Sequence, residues 1–251
     1  MKYIPLLLIS MILHTVCFAQ PEDEGPSKAS LAYHEYRSKI TRPPYGLEKV
    51  LRLIDKIKPV ESEEVSDNGT AALSPKIYAS LSFREKFTYN MVHGESYSQN
   101  CDGGFVDHDE EKKIYAMLPT PFGDEYWTDS QRKFFADNHD SAVALMTESI
   151  GRSHRVGVNY KQVIERINAT EMIPLLISTY NIDKKDHDIL TTLNLLMLNN
   201  KYAPFMTSES YRKLYAKEDS RWEAFLTFNT ANEGLIIQRA TEFYNGLPKK
   251  G

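Results

Sequence analysis

The chain has 251 residues and a formal net charge of -4, with 41% hydrophobic, 25% charged and 11% aromatic residues. This is globular composition, which excludes a disordered, collagen-like or low-complexity polymer for the bulk of the chain. The negative balance leaves no basic footprint for nucleic acid, and two cysteines are too few for a disulfide scaffold.

Lys2 supplies a short positive start, and Ile4 to Val16 (IPLLLISMILHTV) is an apolar run broken only by Pro5, Ser10, His14 and Thr15. The run ends at Cys17-Phe18-Ala19, a boundary that suits signal peptidase. Residues 1–19 therefore read as a secretory signal cleaved after Ala19. The run is shorter than the roughly 20 residues a membrane span needs. A lipoprotein signal with Cys17 as the lipidated residue fits less well, because His14-Thr15-Val16 lacks both the leading Leu and the small residue before the cysteine. No later segment approaches a membrane span. The expectation is an exported protein, periplasmic or extracellular. Cleavage leaves Cys101 as the single cysteine. It is a buried apolar thiol, a cross-link to a partner or a reactive thiol, and the first is the commonest fate.

Residues 20–44 read as a flexible acidic leader and a lead-in arm. Pro21-Glu22-Asp23-Glu24-Gly25-Pro26 has no apolar residue, Leu31 to Ile40 suits a short helix, and Pro43-Pro44 stop it. From 45 to 247 the pattern is that of a single α-helical domain. Leu47, Val50, Leu51, Ile54 and Ile57 recur at helical spacing up to Pro59, and Glu61 to Ser74 is a polar loop. Ser82 with Glu85, Thr128 with Gln131 and Ser220 with Glu223 have capping-box spacing, in which the two side chains satisfy free N–H groups at a helix start. Asn138-His139 can break 130–150 into two helices. Met172 to Ile177 reads as a buried helix with Pro174 near its start, and Ile189 to Leu198 (ILTTLNLLML) as the central one. No segment alternates with period two. The fold class is all-α, an irregular multi-helix bundle or a short stack of helix pairs, with about eight to ten helices.

The densest polar stretch is His93 to Glu111 (HGESYSQNCDGGFVDHDEE). It lacks the second cysteine pair of a zinc ribbon and the alternating ligands of a calcium loop. Its plain reading is an acidic loop whose Asp107 or Asp109 caps a helix over Glu110–Met117. A Cys101–His93 or Cys101–His108 nucleophile pair rests on loop proximity alone. Gly94-Glu95-Ser96-Tyr97-Ser98 lacks the last glycine of a nucleophile elbow.

His is followed by Asp three times, at His108-Asp109, His139-Asp140 and His187-Asp188. Seven His and 14 Asp predict about 0.4 such pairs by chance. These pairs in an all-α chain resemble the HD-domain phosphohydrolases. The resemblance implies a helical bundle holding one or two metals that activate water for attack on phosphorus. His108 would be the first ligand, His139-Asp140 the pair, and Asp186 or Asp188 the last. The competing mechanism is simpler: Asp is favoured at helix N-termini, where it meets free N–H groups and the positive end of the dipole, and the histidines are its neighbours.

Tyr33, Tyr36, Tyr45, Tyr78, Tyr89, Tyr97, Tyr115 and Tyr126 crowd the first half; they serve as bundle filler or as part of a carbohydrate- or peptide-binding groove. No coherent catalytic set stands out, so the leading expectation is an exported helical protein that binds or scaffolds a protein or glycan partner without catalysis. The alternative is a metal-dependent hydrolase using the His/Asp pairs, with a divalent metal as its cofactor.

Overall fold

The computed structural model describes residues 25–57, 68–98, 106–217, 219 and 221–248. The signal, Cys17, Cys101 and the Ser220 capping position lie outside the described residues. The described chain is mostly helical, with twelve α-helices, several of one or two turns, and two small antiparallel sheets. No helix among the described residues is long and apolar enough to cross a membrane.

Helix α1 (Lys28–Ser38) starts at Ser27, whose hydroxyl accepts from the Ser30 N–H. Ser30, Tyr33 and Arg37, one face at helical spacing, are buried. The arm is therefore part of the packed body. Helix α2 (Leu47–Ile54) begins after Gly46, which holds φ +66° and lies so close to Glu85 that a Cβ there would sit 2.8 Å from its Cγ. Then follow β1 (Asn68–Thr70), α3 (Pro75–Ser80) and α4 (Phe83–Val92). Val50 of α2 packs with Leu73, Leu81 and Tyr89 in a small satellite core.

Strand β2 (Ser96–Ser98) pairs with β1 and with β4 (Glu125–Tyr126), setting Gly69 opposite Tyr97 and Tyr97 opposite Glu125. The expected helix over 110–117 is instead a single 3-10 turn, Glu110–Lys112, running into β3 (Lys113–Tyr115). Strand β3 pairs with β5 (Phe225–Thr227), with Ile114 opposite Leu226, so long-range pairing overrides local preference. Asp109 precedes the turn in a left-handed conformation and makes no capping bond through its side chain.

Capping boxes form at Ser82/Glu85 and at Thr128/Gln131, where α5 (Asp129–Asp137) begins. Asn138 breaks the chain between α5 and α6 (His139–Ser153). Next come α7 (Val158–Arg166), a 3-10 turn at Thr170–Met172, α8 (Ile173–Asp183) and α9 (His187–Asn199). Helix α9 is the axis of the core: α7, α8, β3, α10 (Ala203–Met206) and α12 (Thr230–Gly246) pack around it. Its Ile189, Leu190, Leu193, Leu196 and Met197 are buried. Helix α11 (Glu209–Tyr215) lies against β5. Helix α8 is not buried all round; Ile173, Leu176 and Tyr180 face the core while Pro174, Ser178 and Ile182 are exposed. Of the crowded tyrosines, Tyr33, Tyr45, Tyr89 and Tyr115 are core filler.

Gly157 explains how the arm joins the body. Thr41 lies against it so closely that a Cβ would meet the Thr41 backbone N at 2.1 Å. The Gly157 N–H donates to Thr41 Oγ1 at 2.7 Å, and the Asn159 amide accepts from the Thr41 N–H and donates to its carbonyl.

Candidate functional site

The most concentrated electrostatics sit between α1 and the start of α9. Arg37, on the buried face of α1, donates from Nε to Asp188 Oδ2 at 3.0 Å and from Nη2 to Asp188 Oδ1 at 2.6 Å. Its Nη1 donates to Glu110 Oε1 at 2.6 Å. The guanidinium also lies 4.3 Å from the centroid of the Tyr115 ring, a cation–π contact. One turn earlier on α1, His34 Nδ1 lies 3.0 Å from Glu110 Oε2, and Ser30 donates to Glu111 Oε2 at 2.9 Å. The acidic loop thus contributes Glu110 and Glu111, presented by the 3-10 turn.

Behind Asp188 stands Lys161, fully buried on α7. Its Nζ donates to Asp186 Oδ1 at 2.6 Å and lies 3.8 Å from Asp188 Oδ2. Buried charges cost several kcal/mol each unless paired and hydrogen-bonded, and here each meets an opposite one. Burial pushes the Asp188 carboxyl up, but Arg37 and then Lys161 outweigh it, so the group titrates below the usual carboxylate range. Asp186 goes the other way: burial, with Asp188 adding to it, exceeds the pull of Lys161 and raises its carboxyl. His187, stacked 3.7 Å from the centroid of Phe228, is pushed down to about 4 mainly by burial and is neutral at physiological pH.

These interactions tie α1, the turn at 110–112, α7 and α9 into one unit. Arg37 and Lys161 look like ordinary surface cations in the sequence. The only signal that could have found Lys161 is its place among Val158, Tyr160, Val163 and Ile164, a buried stripe on α7. For Arg37 it is the helical spacing from Tyr33.

The three His-Asp pairs have separate surroundings. His108 and Asp109 are exposed, and Asp109 accepts from Lys112 at 2.8 Å. His187 and Asp188 are buried, with both Asp188 oxygens held by Arg37. His139 and Asp140 open α6 and are joined by Glu171, which the spacing arguments missed. Among the described residues, the group of three His, Cys, Asp or Glu side chains whose ligand atoms all lie within 4.8 Å of one another is His139, Asp140 and Glu171. Cys101 lies outside the described residues.

A groove of about 430 Å³ opens between α8 and the end of α12. Its walls are Ile173, Pro174 and Ile177, and its polar groups are Ser178, Asn181, Thr241, Tyr244 and Asn245. None of these side chains is charged. No protein-family model, curated protein or solved structure matches the chain.

Proposed function

We propose that this protein is exported and works as a binding protein without chemistry of its own, taking a neutral, hydroxyl-rich ligand of the glycan class along the groove between α8 and α12. The observation that carries this reading is the lining of that groove. Its volume falls within the range of small-molecule sites, about 300–1,000 Å³. The amides of Asn181 and Asn245 can both donate and accept, and the hydroxyls of Ser178 and Thr241, which donate to the Leu175 and Ile237 carbonyls, offer acceptor oxygens, a mixed set that matches the hydroxyls of a sugar. Tyr244 is 36% exposed and offers an aromatic face with a polar tip. With no charged lining residue, the groove has no group to compensate an ionic ligand for lost hydration.

The test is saturation-transfer NMR of the purified protein with chitohexaose, cellohexaose and maltohexaose, beside a neutral hexapeptide. At least one oligosaccharide should show transfer, and Tyr244→Ala or Asn181→Ala should weaken it at least tenfold while the circular dichroism stays native. Absence of oligosaccharide binding, or binding that both variants leave intact, overturns the reading; binding of the hexapeptide alone reassigns the groove to peptides.

A metal-dependent hydrolase in a helical bundle is the second reading. The grouping of His139 and Asp140 with Glu171 favours it. It would have to work without Asp188, whose oxygens Arg37 already holds.

A further inference from the structure

His139 is the first residue of α6, and its Nδ1 lies 3.0 Å from Asp140 Oδ1 and 3.6 Å from Glu171 Oε1. Glu171 comes from the 3-10 turn ahead of α8, so two separate elements supply the three groups. Both backbones are anchored. Ala142, Leu145 and Met146 bury the inner face of α6, and Ala169 and Met172 bury both flanks of the turn that carries Glu171. Asn168, just before that turn, exchanges amide hydrogen bonds with Asn200 at 3.1 and 2.7 Å. The three side chains are thus projected from fixed positions toward one point.

We propose that His139, Asp140 and Glu171 form a binding site for a divalent transition-metal ion of the zinc type, with three protein ligands and at least one position open to water. Bonds of about 2.0–2.2 Å to nitrogen and oxygen place tetrahedral ligand atoms about 3.3–3.6 Å apart. The two separations from His139, 3.0 and 3.6 Å, lie close to that requirement, and all three ligand atoms fall within 4.8 Å of one another. The imidazole distinguishes this group from an acidic surface patch. One neutral nitrogen with two carboxylates favours zinc, cobalt or manganese over calcium and magnesium, which take oxygen. The metal takes the Nδ1 lone pair, so the imidazole binds as the tautomer that carries its proton on Nε2. Asp140 is largely exposed, which leaves the outer side of the ion open. The site does not depend on the groove at α8 and α12, and it stands whether or not chemistry follows at the metal.

The test is titration of the purified, tag-free protein with Zn²⁺ and Co²⁺ by calorimetry, with the visible d–d absorption of Co²⁺ as a second readout. One ion per chain is expected, with a cobalt spectrum typical of four or five ligands and a raised midpoint of thermal unfolding. His139→Ala and Glu171→Gln, both at partly exposed positions, should each weaken binding at least tenfold, while Glu209→Gln on α11 should leave it unchanged. The native circular dichroism of the variants separates lost ligation from lost folding. No saturable binding in the wild type overturns the proposal. So does binding that His139→Ala and Glu171→Gln leave unaltered, because the metal would then sit elsewhere.

Discussion

Arg37 grips both carboxylate oxygens of Asp188 across a separation of 151 residues, at 3.0 and 2.6 Å, with its remaining nitrogen on Glu110. This bidentate pair joins the N-terminal helix to the central one and lies in the interior, where water cannot replace either partner. A bond of this kind contributes less to net stability than its geometry suggests, because desolvation offsets much of the Coulomb attraction. Removing one partner is a different matter, since the other charge stays buried.

Arg37→Met keeps the apolar stem and removes the charge. It should destabilise the protein by about 3–5 kcal/mol, because Asp188 and Glu110 lose their buried partner. The double variant Arg37→Met with Asp188→Leu should recover part of that loss. Urea unfolding of the wild type, single and double variants checks both statements. A single variant within 1 kcal/mol of wild type would show that water reaches Asp188.

His187 makes the second expectation, in pH. Its folded value of about 4 lies below the ordinary value of 6.5. The unfolded chain therefore binds the proton more tightly. The contribution is complete above about pH 6.5 and is lost as pH falls toward about 4, with a span of about 3 kcal/mol. Asp188, also depressed, adds a loss at lower pH still, as the pH falls through its folded value. Asp186 has the opposite sign, since its raised carboxyl holds its proton more tightly in the fold and its share of stability falls as pH rises past the carboxylate range. Comparing wild type with His187→Phe isolates the histidine. The variant should stack on Phe228 and lose the slope between pH 4 and 6.5, measured by urea unfolding at a series of pH values. A parallel pair of curves would contradict the burial argument.

Asn194 makes the third. It is fully buried on α9, and among the described residues neither its amide nitrogen nor its oxygen has a hydrogen-bond partner. Each unsatisfied buried group costs about 1–3 kcal/mol. Asn194→Leu, close in volume, should raise stability by about 1–2 kcal/mol and shift the thermal midpoint upward. A lowered midpoint would mean that the amide bonds to an internal water.

Local signals carried the helices well. The capping boxes at Ser82/Glu85 and Thr128/Gln131 act within four residues, and both form. The break at Asn138 and the buried run of α9 are likewise properties of short stretches. The segment 110–117 went the other way. Its acidic start suits a helix, yet β5 supplies a pairing edge that no window around residue 113 contains. The site followed the same division. His139 and Asp140 stand out as a dipeptide, but Glu171 becomes their neighbour only when the turn ahead of α8 meets α6.

By itself the sequence determined the helical class, the capping boxes at Ser82 and Thr128 and the central apolar helix, and among the described residues no helix is long and apolar enough to span a membrane. These depend on periodicity and on hydrogen bonds between near neighbours. Tertiary structure alone decided that Arg37 and Lys161 are interior charges, that Glu110 rather than Asp109 faces α1, and that α8 and α12 leave an uncharged groove between them. The physical reason is that the energy of a charge or an amide depends on what surrounds it, and those surroundings come from parts of the chain far away in sequence.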